Sequence, residues 1–329
     1  MLFMAKRNLL IQKNSGWNKD MKYVYPKLSD IDLGVTRIGG LGLGNMLFTY
    51  ARALLCVRDH GAELIWPTWN SIPVGQILRR EENKRFYRDL FVNRKEGIAG
   101  WKKAWLLMTK KKMSEAEWKT VSDKQDYAVA EGKVIVFSGM EDEFVPLMGK
   151  GNSDFLYRHF QSVLQDKNKE ALLFEPGNGI CVHVRLGDFT RGTQQELKAG
   201  ISNMSIPIFW YVSIIKQLQK VLPEKTPVYI FSDGTNEELA ELLELPYTER
   251  KTYGTAVADI MAMTKAKIFI ASGSTFSRWV RFLGQMTTIA YPGQLKQQLL
   301  EEGTDNFEIE AEVIPMDYLE RLKKLYVNR

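Results

Sequence analysis

The chain has 329 residues, 45% of them hydrophobic and 26% charged, with a formal net charge of +6. Its length is about twice that of a usual single domain and predicts two α/β domains, residues 1–170 and 171–329, each long enough to bury a core. No repeat or low-complexity tract is visible, and no apolar run approaches the roughly 18 residues of a membrane span, so solenoid, disordered-tail and membrane-spanning readings are set aside, while the positive charge suits an anionic partner without choosing one.

The N-terminal Met1-Leu2-Phe3-Met4-Ala5-Lys6-Arg7 lacks the apolar core and small-residue cleavage site of a secretory signal, which predicts a cytoplasmic chain. The first thirty residues read as irregular. After them, 33–38 reads as a strand, 39–44 as a glycine turn, 45–60 as a helix and 63–67 as a strand, a β-loop-α-β unit. The turn does not fit the dinucleotide fingerprint, because Asn45 stands where its third glycine belongs and no acid closes the following strand; no G-K-[ST] follows either. Asp30-Ile31-Asp32 spells the D-x-D of metal-dependent sugar transfer but precedes its strand, so it reads as coincidence and no metal is expected.

Residues 70–133 are charged and poor in strand signals, which predicts helices with long loops. Within them, Trp101, Trp105 and Met108 share one face of a helix flanked by Lys102, Lys103, Lys110, Lys111 and Lys112. Two readings stand: a helix packed on its tryptophans, or a peripheral membrane contact through Trp101–Lys112. Nucleic acid is not expected as a partner, since no recognition motif accompanies the charge. Residues 134–137 read as a strand, 154–164 as an amphipathic helix, 165–178 as the boundary between domains, and Glu141-Asp142-Glu143 as a solvated loop. Cys56 and Cys181 read as buried reduced thiols, and three histidines without metal-type spacing predict no zinc site.

The second half alternates clearly. Strands at 179–184, 228–231, 267–271 and 288–291 interleave with helices at 207–222, 236–243, 255–265 and 275–283, which predicts a parallel sheet covered on both faces. Ligands of such sheets sit beyond the carboxyl ends of the strands, which places Arg185, Asp188, Asp233, Ser274 and Thr275 on one rim. Arg185 offers a planar, permanently charged fork for phosphate oxygens and for charge growing on a departing diphosphate. The bland reading is an Arg185–Asp188 ion pair pinning a turn. His183 alternates with Arg185 on its strand. Asp233 ends Phe231-Ser232-Asp233 and suits ribose hydroxyls or a guanine edge, or else caps the next helix. Ser272-Gly273-Ser274-Thr275-Phe276-Ser277 places hydroxyls and free N–H groups at a helix start, a phosphate cradle or simple capping.

Taken together, these segments resemble a known family. Gly42-Leu43-Gly44-Asn45-Met46-Leu47-Phe48-Thr49-Tyr50-Ala51 is similar to the G-L-G-N-Q-L/M-F-Q-Y-A start of the α1,2-fucosyltransferases, glycosyltransferase family 11. His183-Val184-Arg185-Leu186-Gly187-Asp188-Phe189 resembles its H-x-R-R-G-D-Y motif, with Leu186 in place of the second arginine. Phe231-Ser232-Asp233 resembles F-S-D, Ser274-Thr275-Phe276-Ser277-Arg278-Trp279 resembles S-T-F-S-W-W, and Trp210-Tyr211 falls where the family has a tyrosine pair. The resemblance implies a GT-B fold of two Rossmann-like domains facing across a cleft. It also implies a metal-independent, inverting transfer of fucose from GDP-fucose to O2 of a galactose-like residue in a glycan or lipid-linked oligosaccharide. On that reading the acceptor binds the N-terminal domain, Arg185 holds the diphosphate and Asp233 the nucleoside. Ser274, Thr275 and Phe276, with His183 nearby, hold the phosphates and ribose, while Gly42, Gly44 and Asn45 shape the cleft. The general base is not identified by sequence: Glu196, in the loop after Asp188, is the first candidate, with Asp188 and Asp32 as rivals. The competing readings are the same fold with another nucleotide sugar, and a relative that binds nucleotide or glycan without turnover.

Overall fold

The computed structural model describes residues 23–72, 86–140, 143–296, 298–300, 306–309 and 314–327. The readings of the N-terminus, of Glu141 and Asp142, and of part of the 70–133 region lie outside the described residues.

The N-terminal half contains strands β1 (Tyr23–Pro26), β2 (Ile31–Asp32) and β3 (Arg37–Ile38), helix α1 (Leu43–His60), and strands β4 (Glu63–Leu64) and β5 (Ser71–Ile72). Helix α2 (Gly100–Thr109), strand β6 (Lys112–Ser114), helix α3 (Glu115–Asp123), strand β7 (Val134–Phe137) and helix α4 (Asn152–Val163) follow. Four strands pair in parallel in the order β4-β1-β7-β6. The irregular start expected from sequence therefore includes a central strand, whose Val24 and Tyr25 are buried. It is only four residues long and ends in proline, which leaves little alternation to read. Of the strand expected at 33–38 only Arg37–Ile38 forms, as β3; residues 33–36 make the turn from β2, with Gly34 at φ +83° and the Leu33 N–H bonded to Thr36 O.

The C-terminal half runs β8 (Ile180–Val184), β9 (Thr190–Arg191), α5 (Gln194–Lys198), β10 (Met204–Ser205), α6 (Ile208–Val221) and β11 (Val228–Ser232). It continues through α7 (Ala240–Leu243), β12 (Thr248–Arg250), α8 (Ala256–Met263), β13 (Ile268–Ile270), α9 (Thr275–Gly284), β14 (Thr287–Ala290), β15 (Asn306–Glu308) and α10 (Met316–Val327). Six strands pair in parallel in the order β12-β11-β8-β13-β14-β15. The order reverses between β8 and β13, so a crevice opens at their carboxyl ends. The two α/β units with parallel sheets on either side of one cleft are the GT-B arrangement.

Side chains alternate across the larger sheet. Ile180, Val182 and Val184 face one way into a core with Trp210 and Ile214 of α6 and Leu319 and Leu322 of α10. The last helix, α10, packs on the second half through these residues. Cys181, Phe231 and Phe269 face the other way into a core that contains α8 and α9 together with Leu47, Phe48 and Leu54 of α1 and Leu156 and Phe160 of α4. This core belongs to both halves. Trp279 stands in its middle, with ring centroids 5.1 Å from Phe48, 5.0 Å from Phe144 and 6.0 Å from Phe160, and its indole N–H donates to Gly44 O at 2.7 Å. Both cysteines are buried free thiols.

Candidate active site

A cleft of about 880 Å³ opens at the β8/β13 crevice, with Gly42 to Asn45 and Phe86 to Leu90 on the N-terminal side and Arg185, Asp188, Asp233 and Ser274 to Phe276 opposite. Arg185 leaves the end of β8 and its guanidinium bridges Asp188 and Asp233, while its Cζ lies 5.2 Å from the centre of the Phe189 ring. The ion-pair reading is met: two carboxylates and an aromatic face hold the fork in a fixed plane, and among the described residues three of its five N–H donors have no acceptor. Asp233 also accepts the Leu186 N–H at 2.9 Å, so it is no helix cap; Thr235 closes the turn before α7 by accepting Glu238 N–H. A methyl group at Gly187 would meet Asp233 Oδ2 at 2.1 Å, and this explains a glycine in the motif.

Two helices aim their N-termini at the cleft. Helix α9 begins at Ser274, whose hydroxyl accepts Ser277 N–H, and the first-turn N–H groups of Thr275 and Phe276 have no acceptor within the helix. Helix α1 begins at Gly42. The two touch, because Thr275 Oγ1 donates to Asn45 Oδ1 at 3.3 Å and a methyl group on Gly44 would sit 2.9 Å from Thr275 Cγ2. Gly44 is glycine because two helix ends meet there. With Arg185, the positive ends of both dipoles give this side of the cleft a positive potential that favours an anion.

His183 is buried beneath the rim. Its Nδ1 lies 2.9 Å from Ser277 Oγ, 3.1 Å from Ser272 Oγ and 3.4 Å from Ser274 Oγ, and its ring stacks on Phe276. Burial, with Arg185 adding to it, pushes the imidazole down to about 3, so His183 is a neutral hydrogen-bonding post for the serine turn. Trp210 and Tyr211 are core: Trp210 Nε1 donates to Ile309 O, and the Tyr211 hydroxyl donates to His183 O.

The candidate bases separate. Glu196 is the third residue of α5, where it accepts the Thr193 N–H and hydroxyl, both at 2.8 Å, in a capping box. Those bonds hold its carboxyl below the usual range, which makes it a weaker base, and it does not line the cleft. The loop that carries it is latched rather than free, since Gln294 Nε2 donates to Leu197 O and Lys296 Nζ to Ser202 Oγ. Asp32 accepts from Tyr25, from Thr68 at 2.7 Å and from Gly34 N–H at 2.9 Å, and it too lies off the cleft. Asp188 lines it.

Sequence reasoning did not find Asp259. This carboxylate lines the cleft one turn into α8 and accepts Tyr253 N–H at 2.6 Å and the Thr252 hydroxyl at 3.3 Å. Burial pushes it up to about 6. The available signal was a single acid inside the apolar run Ala256-Val257-Ala258-Asp259-Ile260-Met261. Phe86 to Leu90 were also missed, as part of a region with no legible pattern.

Among solved structures, fucosyltransferase NodZ from Bradyrhizobium is similar at 16% identity and a TM-score of 0.46, over 80% of this chain and 93% of that one. NodZ soaked with GDP-fucose is similar at 16% identity and a TM-score of 0.48, over 80% and 93%. POFUT1 in complex with GDP is similar at 15% identity and a TM-score of 0.46, over 88% and 99%. No curated protein sequence matches. The family model described as Glycosyl transferase family 11 matches residues 146–314, just over half of the chain and the segment that carries Arg185, Asp233, Asp259 and the Ser274 turn. The chain belongs to glycosyl transferase family 11.

Proposed function

We propose that the protein moves fucose from GDP-fucose to a hydroxyl of a glycan, with the donor on residues 171–329 and the acceptor approaching from the N-terminal wall of the cleft. The observation that carries this reading is the convergence of the Arg185 fork and two helix N-termini on one rim, where they would bind a diphosphate and stabilise it as it leaves. Cationic and dipolar groups already supply the positive charge, which supports a metal-independent reaction. The acceptor oxygen attacks the anomeric carbon from the face opposite the diphosphate, the bond from that carbon to the diphosphate oxygen breaks, GDP departs and the configuration inverts. The acceptor proton passes to a carboxylate of the cleft, and of the three candidates only Asp188 lines it. O2 of a galactose-like residue as the acceptor atom, and a lipid-linked or polysaccharide precursor as the acceptor, follow from the motif resemblance. Calorimetric titration in EDTA should show GDP and GDP-fucose binding, with UDP and NAD at least tenfold weaker; preference for UDP would replace the donor assignment.

Asp259 supports guanine in particular. A buried carboxylate with spare lone pairs pairs with the adjacent N1–H and amino donors of guanine, an edge that uracil does not offer. Its carboxyl titrates at about 6, so GDP affinity should hold from pH 8 to 7 and fall by about tenfold for each pH unit below roughly 6, as the acceptor protonates. In Asp259→Asn that pH dependence should disappear, as read by titration calorimetry between pH 5 and 8. For folding the sign is opposite: the protonated form is favoured below the ordinary 3.8, and that stabilisation is lost as pH rises through about 6.

A further inference from the structure

Helix α2 is turned inside out. Its buried side chains are Lys103 and Leu106, whereas Trp101 is 93% exposed, Met108 82% and Trp105 55%. Helices on water-facing surfaces ordinarily do the reverse, so the expectation of a helix packed on its tryptophans is not met. The rotation is fixed by a polar anchor. Lys103 Nζ donates to Trp66 O and to Thr68 Oγ1, both at 2.8 Å, and lies 5.1 Å from the centre of the Tyr25 ring. Turning the tryptophans inward would strip a buried ammonium of these partners.

The same anchor holds a second apolar element beside the helix. Thr68 donates to Asp32 at 2.7 Å and reaches Gly34 O at 3.2 Å, and Gly34 lies against the Lys103 side chain, so the turn between β2 and β3 is tied to α2. Its Leu33 and Val35 are exposed. The surrounding charge is basic. Lys102 pairs with Glu63 at 3.7 Å, Lys110 lies 5.9 Å over the Trp105 ring, and among the described residues no ion pair involves Lys110, Lys111 or Lys112.

We propose that this face docks on an anionic bilayer surface, with Trp101, Trp105, Met108, Leu33 and Val35 entering the headgroup boundary and Lys110 and Lys111 meeting lipid phosphates. Tryptophan and methionine projecting from a lysine-rimmed surface match the mixed polarity of that boundary. A second copy of the chain fits worse, because it would bring two lysine clusters face to face. The proposal does not depend on the donor assignment.

The test is sedimentation of the full chain with vesicles of phosphatidylcholine, with and without phosphatidylglycerol, alongside Trp101→Glu/Met108→Glu and Lys110→Glu/Lys111→Glu. We expect binding to the anionic vesicles only, loss of at least tenfold in the first variant, and about fivefold per lysine in the second. All three proteins should give the same far-ultraviolet circular dichroism spectrum and the same urea midpoint, which shows that they are folded. Absence of wild-type binding to the anionic vesicles, or equal binding by the Trp101/Met108 variant, overturns the proposal. So does a wild-type dimer in solution that the Trp101/Met108 variant dissociates, since the face would then belong to a second copy.

Discussion

Arg185→Ala should lower turnover by about 10³-fold and weaken GDP binding in parallel, because the fork is the one permanently charged group held against both Asp188 and Asp233 on the cleft rim. The loss has two parts. Binding falls because charge-assisted contacts to phosphate disappear, and the chemical step slows further because negative charge grows on the departing diphosphate. Arg185→Lys should recover only a small part of the rate, since an ammonium cannot keep two carboxylates and a diphosphate in one plane. Rates of GDP release under saturating donor, paired with titration of GDP, separate the two parts. A fall in affinity with unchanged saturated turnover would make Arg185 a ground-state binder only.

The largest effect on stability is expected from Trp279→Ala, at about 3–5 kcal/mol. The indole is fully buried, packs on Phe48, Phe144 and Phe160, and donates to Gly44 O, so the substitution leaves a cavity and removes the hydrogen bond that ties α9 to α1. Trp279→Phe keeps most of the packing and should cost about 1–3 kcal/mol, mainly from the lost hydrogen bond and the smaller ring. Urea unfolding followed by fluorescence and by far-ultraviolet circular dichroism measures both. Because Phe48 and Phe160 lie in the N-terminal half and Trp279 in the other, the two signals should move together in the variant; a shift confined to one half would show that the shared core is not a cooperative unit.

The second half of the fold was legible because its strands are continuous apolar runs that stop at Gly, Ser or Asp, and each expected strand lies within a few residues of its observed bounds. The rim residues followed from strand ends and from motif order. Other parts gave no such signal. β1 is short and ends in proline, while β9 and β10 are two-residue pairings fixed by a loop latched at Gln294 and Lys296. Asp259 escaped because its importance comes from burial and from the cleft above it, neither of which is written in spacing. The opposite case is α2, where the pattern of tryptophans and lysines was legible but left both orientations open. A single lysine, Lys103, reverses the face that hydrophobicity would bury, and only its partners Trp66 and Thr68 reveal this.

The core shared by α1, α4, α8 and α9 bears on how such enzymes are recombined. A natural cut for a chimera that joins the C-terminal half of one transferase to the N-terminal half of another is the polar stretch at 165–178. In this chain that stretch is no slack tether: residues Asp166–Leu173 form a 3₁₀ helix packed on α8, with Ala171 fully buried. A hybrid made there would inherit mismatched partners for Trp279 and Gly44. Helices α1 and α9 therefore form one heritable unit, and a grafted C-terminal half should bring the first helix of its own parent with it.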